Sequence, residues 1–346
     1  MTATYRWVQW NRHKKVYDLT LIGICIAYTA GFVSVSLASA EPPDEMVTLI
    51  RATGTLAFTL LHAILLVGPL ARFSTRVSPF LYNRRHAGVL LFSVALAHAA
   101  LVTVYYGAWG PLDPVRALFA YEPGIPFEFW GFVALAIMFL MASTSHDFWL
   151  ANLGHRSWKT LHMLVYVAYS AVVLHVVAGA LQDQSSPVLA ALTLLGVAVV
   201  VGAHLAAGLK ERTQDGRLPA PPEDSWLDVG PVADLPLNKA RVIGVKGAER
   251  IALVRHERGV SAVSNVCKHQ GGPLGEGEVI DGCLTCPWHG YQYRPEDGRS
   301  PPPYTERVPT YPVRVVRGNV QVHLNPNPPG THVEPASARA QERDHA

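Results

Sequence analysis

Two short segments of the chain carry thiols and imidazoles at a spacing that suits metal chemistry. They are Cys267-Lys-His269 and Cys286-Pro-Trp-His289-Gly290, with sixteen residues between His269 and Cys286. Each supplies one cysteine and one histidine. Two thiolates on one iron and two imidazoles on the other is the donor set of a mixed-ligand [2Fe–2S] centre. Two loops that each give one ligand of each kind can clamp both irons at once. The plainer readings are a Cys2His2 zinc site or a free thiol pair, Cys283-x-x-Cys286. Zinc fingers place their histidines together, downstream of their cysteines. Here the two types alternate, which argues against zinc, and Cys283 reads as buried packing.

A second group of imidazoles lies in apolar sequence. Six stretches are long enough to cross a hydrocarbon core, which takes about 20 helical residues. They are Tyr17–Ser39, Met46–Phe73, His86–Tyr106, Phe127–Ser145, Trp158–Leu181 and Pro187–Leu209. The third carries His86 and His98, the fifth His162 and His175, the second His62 and the sixth His204. Ionisable side chains at bilayer depth are expensive and mark function, and neutral imidazole is an axial ligand for haem iron. A single membrane histidine is as readily a hydrogen-bonded packing residue, the reading given to His62 and His204. Two on each of two parallel helices, at matched depth, point instead to haem: His86 with His162 near one face, His98 with His175 near the other. The members of each helix are 12 and 13 residues apart, roughly 18–20 Å along the axis. Those offsets leave the rings roughly 120–140° apart around the helix, a geometric objection to a pair at each level that a tilt or kink absorbs only in part.

The wider composition fits a two-part membrane protein. Of 346 residues, 49% are hydrophobic and only 16% charged, against about a quarter charged in soluble domains. The net charge of +3, with no basic cluster interleaved with aromatics, excludes a nucleic-acid partner. Four cysteines are too few for a disulfide scaffold. The basic N-terminus RWVQWNRHKKVYD runs into a spanning stretch without a small-x-small cleavage site, so it reads as a retained helix in the lipid bilayer rather than a signal peptide. Lys and Arg gather before the first stretch, after the second (Arg72, Arg76, Arg84, Arg85), after the fourth (Arg156, Lys159) and after the sixth (Lys210, Arg212, Arg217). The opposite connections include EPPDE and QDQSSP. The positive-inside rule then predicts a multi-pass protein of the inner (plasma) membrane with both termini, and the C-terminal domain, cytoplasmic.

TGTLAFTLLHAILLVGPLARF, RRHAGVLLFSVALAHAALVTVYY and GHRSWKTLHMLVYVAYSAVVLH resemble the ferric reductase-like transmembrane family, over about Thr48 to Leu181. The resemblance implies b-type haem, one or two per chain, held by paired histidines on the third and fifth helices; these map onto His98, His162, His175 and His86. CKHQGGPLGEGEVIDGCLTCPWHGYQYRPEDGRSPPP resembles the Rieske ferredoxin and oxygenase type, over about Arg241 to Leu324. That implies one [2Fe–2S] cluster on Cys267, His269, Cys286 and His289, in loops whose glycines and Pro287 suit tight turns. Gln270 and Trp288 stand where the respiratory bc-type protein has two disulfide-bonded cysteines, which implies the ferredoxin-like kind. With fewer hydrogen bonds to sulfur, its potential is expected toward the low end of the range.

The expected fold is multi-domain: an all-α six-helix transmembrane bundle followed by a small all-β Rieske domain. The boundaries read as a cytoplasmic N-terminus 1–16, a membrane domain 17–209, a linker 210–237, a β-domain 238–325 and a disordered tail 326–346. In the linker, Trp226 either anchors at a membrane surface or packs on the domain. The β-like runs are ARVIGV, RIALVRH, GVSAVSNV, GCLTC, GYQYR, RVPTYPVRVVRG and NVQVHL, separated by Gly, Asn and Pro turns. No Rossmann glycine fingerprint follows a strand, so no FAD or NAD(P)H module is expected. The function these parts suggest is electron transfer from a cytoplasmic donor protein, through the cluster, to membrane haem and an acceptor at the outer or periplasmic face. The alternative is a membrane-anchored Rieske ferredoxin without haem, serving a quinone or oxygenase partner. A Rieske oxygenase would need a mononuclear iron held by two histidines and a carboxylate, in a catalytic domain for which the short stretch after the β-domain leaves no room. No protein acid–base pair or nucleophile is expected.

Overall fold

The computed structural model describes residues 12–77, 80–81, 83–107, 126–183, 187–269, 271–288, 290–302 and 304–337. The chain divides into two compact units, Arg6–Ala207 and the part from Gly208 onward.

The first unit is helical: α1 (Arg12–Leu37), α2 (Glu45–Ala71), α3 (Arg84–Tyr105), α4 (Phe127–Ser143), α5 (Asp147–Met163) and α6 (Val165–Ala178), with α7 (Pro187–Gly216) running on into the second unit. Five spans have the length and apolarity to cross a membrane, α5 and α6 counting together over Ser157–Gln182. The fourth, α4, is shorter at 17 residues, near the minimum for a hydrocarbon core. Asp44, in the acidic EPPDE connection, starts α2 by accepting from the N–H groups of Met46 at 2.8 Å and Val47 at 3.2 Å; this caps otherwise orphaned donors. On α2 the buried residues Thr48, Ala52, Leu56, Leu61 and Leu65 form one stripe, and on α3 Ala87, Leu91 and Ala95 form another. Their four- and five-residue steps put them on one helix face, and the small residues let the helices approach closely. Leu19, Val35, Leu194 and Leu205 point outward, as an apolar solvent requires.

The fifth stretch is not one helix. Leu164, at φ −59° and ψ −11°, interrupts it between α5 and α6. The interruption falls between His162 and His175. The sixth helix continues to Gly216, so Lys210–Gly216 is helix rather than linker. Arg250 pairs with Asp215 at 2.6 Å and Glu211 at 3.2 Å, which ties this helix end to the β-domain.

The second unit holds three antiparallel sheets. One orders β1 (Trp226–Pro231), β10 (Asn319–His323) and β9 (Val313–Val316). The second orders β2 (Ala240–Ile243), β3 (Ile251–His256), β4 (Gly259–Ser264) and β8 (Thr310–Tyr311). The third orders β5 (Glu278–Ile280), β6 (Cys283–Thr285) and β7 (Gln292–Tyr293). Every residue of β4 is buried. The β5–β6 hairpin turns on Asp281-Gly282, at φ 52° and 75°, the two left-handed positions of a type I′ turn. β1 lies in what reads as linker. Its Pro, Gly and Asp residues hide a strand that exists by pairing Trp226 with His323 and Pro231 with Asn319 across a bulge at Asp228/Gly230. Trp226 packs on the domain, with the Arg314 guanidinium 3.9 Å from its ring centre and the His323 ring at 5.0 Å.

The tail is ordered as far as Ser337; 338–346 lie outside the described residues. Pro, Asn and Thr make 326–337 look unstructured, yet the segment straps the domain with main-chain bonds. Asn327 donates to Thr310 at 2.8 Å, Gly330 to Val308 at 3.2 Å and Val333 to Glu296 at 2.8 Å. Ala336 and Val260 exchange two bonds of 2.9 Å. At about 1 kcal/mol for each such bond, ending the chain at Leu324 should destabilise the β-domain by about 3–5 kcal/mol. Pulse proteolysis of the detergent-purified protein in urea measures this; an unshifted midpoint would show that the strap adds nothing.

Candidate metal centres

The two thiol–imidazole loops are built alike. In the first, the Cys267 N–H donates to Gly272 O at 2.9 Å and the Gly271 N–H donates to Cys267 O at 2.7 Å. In the second, the Cys286 N–H donates to Tyr291 O at 2.8 Å and the Gly290 N–H donates to Cys286 O at 2.9 Å. Each loop thus closes by the same pair of bonds, to the fourth and fifth residues after its cysteine. The fourth is a glycine with positive φ, 75° at Gly271 and 68° at Gly290, a conformation that side-chain-bearing residues resist. Val266–Pro273 bridging braces the first loop, and β6 and β7 hold the ends of the second.

This construction brings Cys267 and Cys286 together. Both are unoxidised and 1% exposed. The Cys286 thiol beside it, helped by the Tyr293 hydroxyl and the His269 N–H, holds the Cys267 thiol down at about 6 against the opposing effect of burial. A thiolate at neutral pH is the form that binds iron. Gly272 leaves room at this point: a Cβ there would stand 2.6 Å from Cys286 Sγ and 3.1 Å from the Trp288 ring. The His269 ring stacks on Tyr291 at 4.9 Å, nearly parallel at 8°. The Tyr291 hydroxyl donates in turn to the Glu306 carboxylate. His289 and Gln270 lie outside the described residues. Among the described residues no group of three metal-binding side chains forms, Cys267, His269 and Cys286 included. Two adjacent buried thiols and a buttressed imidazole on paired loops nonetheless fit the sulfur–nitrogen donor set of a diiron cluster. Cys283, expected as buried packing, is half-buried at the first position after the Asp281-Gly282 turn.

Tyr293 escaped the sequence reading. Its hydroxyl accepts from the Lys268 N–H at 2.9 Å and lies 3.5 Å from Cys267 Sγ. A Cys267 thiolate can only accept, so with sulfur in that form the hydroxyl proton points to it. Burial pushes this phenol up, as does the neighbouring Cys267, so the proton stays in place. This bond opposes the expectation of few hydrogen bonds to sulfur. The signal in the sequence is the alternation of the short strand Gln292–Tyr293, which turns position 293 into the core.

In the helical unit the histidines sort by their hydrogen bonds. His98 Nδ1 donates to Ile50 O on α2 at 3.0 Å, and His175 Nδ1 donates to Phe127 O on α4 at 2.9 Å. Their rings meet with centroids 6.3 Å apart and planes at 85°. Two metal–nitrogen bonds of about 2 Å each, plus the distance from each nitrogen to its ring centre, come to about 6 Å. The spacing therefore fits one iron between the two Nε2 atoms. Donation from Nδ1 to a backbone carbonyl is also how metal-binding histidines are held in the right tautomer.

At the other level, His86 Nδ1 donates to the Asp18 carboxylate at 2.9 Å. His162 Nδ1 donates to Trp158 O at 3.0 Å, its ring stacks on Trp158 at 3.8 Å, and its Nε2 is buried without a hydrogen bond. Both offer Nε2, but their rings do not touch. His62 differs: Nδ1 donates to Phe58 O at 2.8 Å and Nε2 accepts from the Tyr169 hydroxyl at 3.1 Å. Both its nitrogens are used, so it has none for a metal. His204 Nδ1 donates to Val200 O in its own helix at 2.8 Å, and its ring lies edge-on to Tyr166.

Two family models match the chain: the ferric reductase-like transmembrane component over residues 53–173 and the Rieske [2Fe–2S] domain over residues 225–312. The protein-methionine-sulfoxide reductase heme-binding subunit MsrQ of Ralstonia nicotianae is 33% identical over 133 residues, 38% of this chain and 58% of its own length. The subunit of the same name from Brucella ovis is 32% identical over 159 residues, 43% of this chain and 68% of its own. The ferredoxin component of the alkene monooxygenase system of Xanthobacter autotrophicus is 33% identical over 104 residues, 30% of this chain and 84% of its own. The chain thus spans little more than half of the Ralstonia subunit.

Two substitutions test the thiol assignment. Cys286→Ser should abolish the [2Fe–2S] electron paramagnetic resonance signal of the reduced protein, and Cys283→Ser should keep it; the reverse would identify the wrong thiol. Tyr293→Phe should keep the signal and lower the midpoint potential. Loss of one hydrogen bond to sulfur at about 1.4 kcal/mol corresponds to roughly 60 mV for one electron, read by redox titration. An unchanged potential would mean that the hydroxyl does not act on the sulfur.

Proposed function

This chain belongs to the ferric reductase-like transmembrane family and continues into a Rieske [2Fe–2S] domain, and on that premise we propose that it carries electrons from a cytoplasmic donor protein to an acceptor at the outer face. It is a multi-pass membrane electron-transfer protein. When bound, a [2Fe–2S] cluster and b-type haem would supply one-electron redox chemistry. Cys267 and Cys286 would hold one iron of the cluster, and His269 and His289 the other. His98 and His175 would hold a haem, and His86 with His162 a second one.

The observation that carries the reading is the His98–His175 pair. Two imidazoles on different helices lie 6.3 Å apart, each anchored through Nδ1 to a neighbouring helix. With Nδ1 of each ring committed to a carbonyl, Nε2 is left as the acceptor on both. His86 fits the second site through its carboxylate partner, a common arrangement behind metal-binding imidazoles. His162 fits it through a buried Nε2. Direction is supported by the charge of the connections, which favours a Rieske domain on the inner side, and by the membrane potential, which favours outward electron movement by about 2.3 kcal/mol per charge per 100 mV.

The likeness to the Xanthobacter ferredoxin component favours a second reading, in which the bundle anchors a ferredoxin that serves an oxygenase or quinone partner without haem. A pyridine haemochrome assay on the purified protein separates the two. Haem b should be present, lost in His98→Ala and His175→Ala, and retained in His62→Ala. In stopped-flow reduction of protein in vesicles, the cluster should bleach before the haem reddens. No haem in the wild-type protein would leave the anchor reading standing; haem reduced ahead of the cluster would reverse the path.

A further inference from the structure

The contacts around His98 and His175 repeat in a way that the haem reading does not require. On α2 the carbonyl of Ile50 accepts from His98 Nδ1, and four residues later a Cβ at Gly54 would stand 2.9 Å from His98 Cε1 and 3.1 Å from Nδ1. On α4 the carbonyl of Phe127 accepts from His175 Nδ1, and four residues later a Cβ at Gly131 would stand 2.9 Å from His175 Nδ1 and 3.0 Å from Cε1. The same unit, a carbonyl and the glycine one turn on, cradles an imidazole from the next helix in both places. In a helix the carbonyl of residue i already takes the N–H of residue i+4. The histidine therefore adds a second donor to a carbonyl with two lone pairs, and it does so by lying across the Cα of residue i+4. A side chain there would occupy the place of the ring.

Other glycines in the helices have no such role. Gly23, Gly31, Gly88 and Gly202 would bring a Cβ to within 4 Å of nothing. Gly196 approaches His62, but His62 bonds to its own helix and spends its second nitrogen on Tyr169. We propose that Gly54 and Gly131 are paired positioning residues that hold the His98 and His175 imidazoles perpendicular to one another for haem iron. The inference rests on the haem reading and goes beyond it. Each ring is fixed at one end by a backbone carbonyl and at the side by a bare Cα, so the 85° between the planes is set by the helices. An imidazole bound to iron cannot swing aside as an unbound one can, so a methyl group at either glycine must displace the ring or weaken the iron bond.

Perpendicular axial rings give ferric haem a highly anisotropic low-spin electron paramagnetic resonance signal, and parallel rings an ordinary rhombic one. The wild-type protein should show the former. Gly54→Ala and Gly131→Ala should each weaken haem retention, by about 10-fold as for other changes behind a metal-binding histidine, and should reduce the anisotropy of the signal that remains. Gly88→Ala should match the wild type. The [2Fe–2S] signal of the same chain reports the amount of folded β-domain, so the haem-to-cluster ratio gives the haem retained per chain, and the spectrum of the retained haem separates a change in ring geometry from loss of the helical unit. A rhombic wild-type signal would overturn the proposal even if neither alanine chain accumulated. So would alanine variants with wild-type haem content and spectrum, while His98→Ala and His175→Ala still lose haem. Wild-type protein without haem would overturn the haem reading itself.

Discussion

An imidazole in the interior of an apolar bundle has no water to satisfy its N–H, and leaving a buried donor unmet costs about 1–3 kcal/mol. The chain meets this demand for His98 and His175 with main-chain carbonyls of neighbouring helices, Ile50 and Phe127. That solution has a chemical consequence. Once Nδ1 carries the proton, Nε2 is the acceptor, with its lone pair directed away from the anchoring helix. Tautomer and ring orientation are then settled by packing alone. The close approach of α2 to α3 and of α4 to α6 is what permits the bonds, and small residues at those crossings permit the approach.

The partner of the second nitrogen separates the roles of the histidines. His62 sits as deep as its neighbours but gives Nδ1 to its own helix and accepts from Tyr169 at Nε2. It is a structural hydrogen-bonding residue joining α2 to α6. His162 also bonds to its own helix, yet its Nε2 stays buried and unbonded.

The β-domain reaches the same end by a different route. There the backbone turns are fixed first, by glycines at positive φ one turn beyond each cysteine, and the thiols converge because their loops are closed identically. Burial alone would favour neutral thiols; the Cys286, Tyr293 and His269 hydrogen bonds outweigh it at Cys267. Across both units the protein supplies rigid donors and a controlled local field, and the one-electron chemistry belongs to the cofactors.

Much of this was legible in the residues. Alternating Cys and His in two short motifs selected the diiron donor set, because thiolate and imidazole divide between the two irons in a way that zinc spacing does not match. Apolar length located the spans, because a bilayer imposes a minimum that few other environments do. What the residues could not decide was anything that depends on a partner distant in sequence. Trp226–Pro231 is a strand only because β10 offers it an edge, and 326–337 is ordered only because Val260, Glu296, Val308 and Thr310 receive its bonds. The break at Leu164 carries no proline or glycine to announce it. The convergence of His98 with His175, the use of both nitrogens in His62, and the Tyr293 bond to sulfur arise from contacts between elements 26 to 107 residues apart. Local composition encodes which groups are present and how far apart along one element they lie. Only tertiary packing assigns each nitrogen and each thiol its partner, since hydrogen bonds of this range are set by where helices and loops meet.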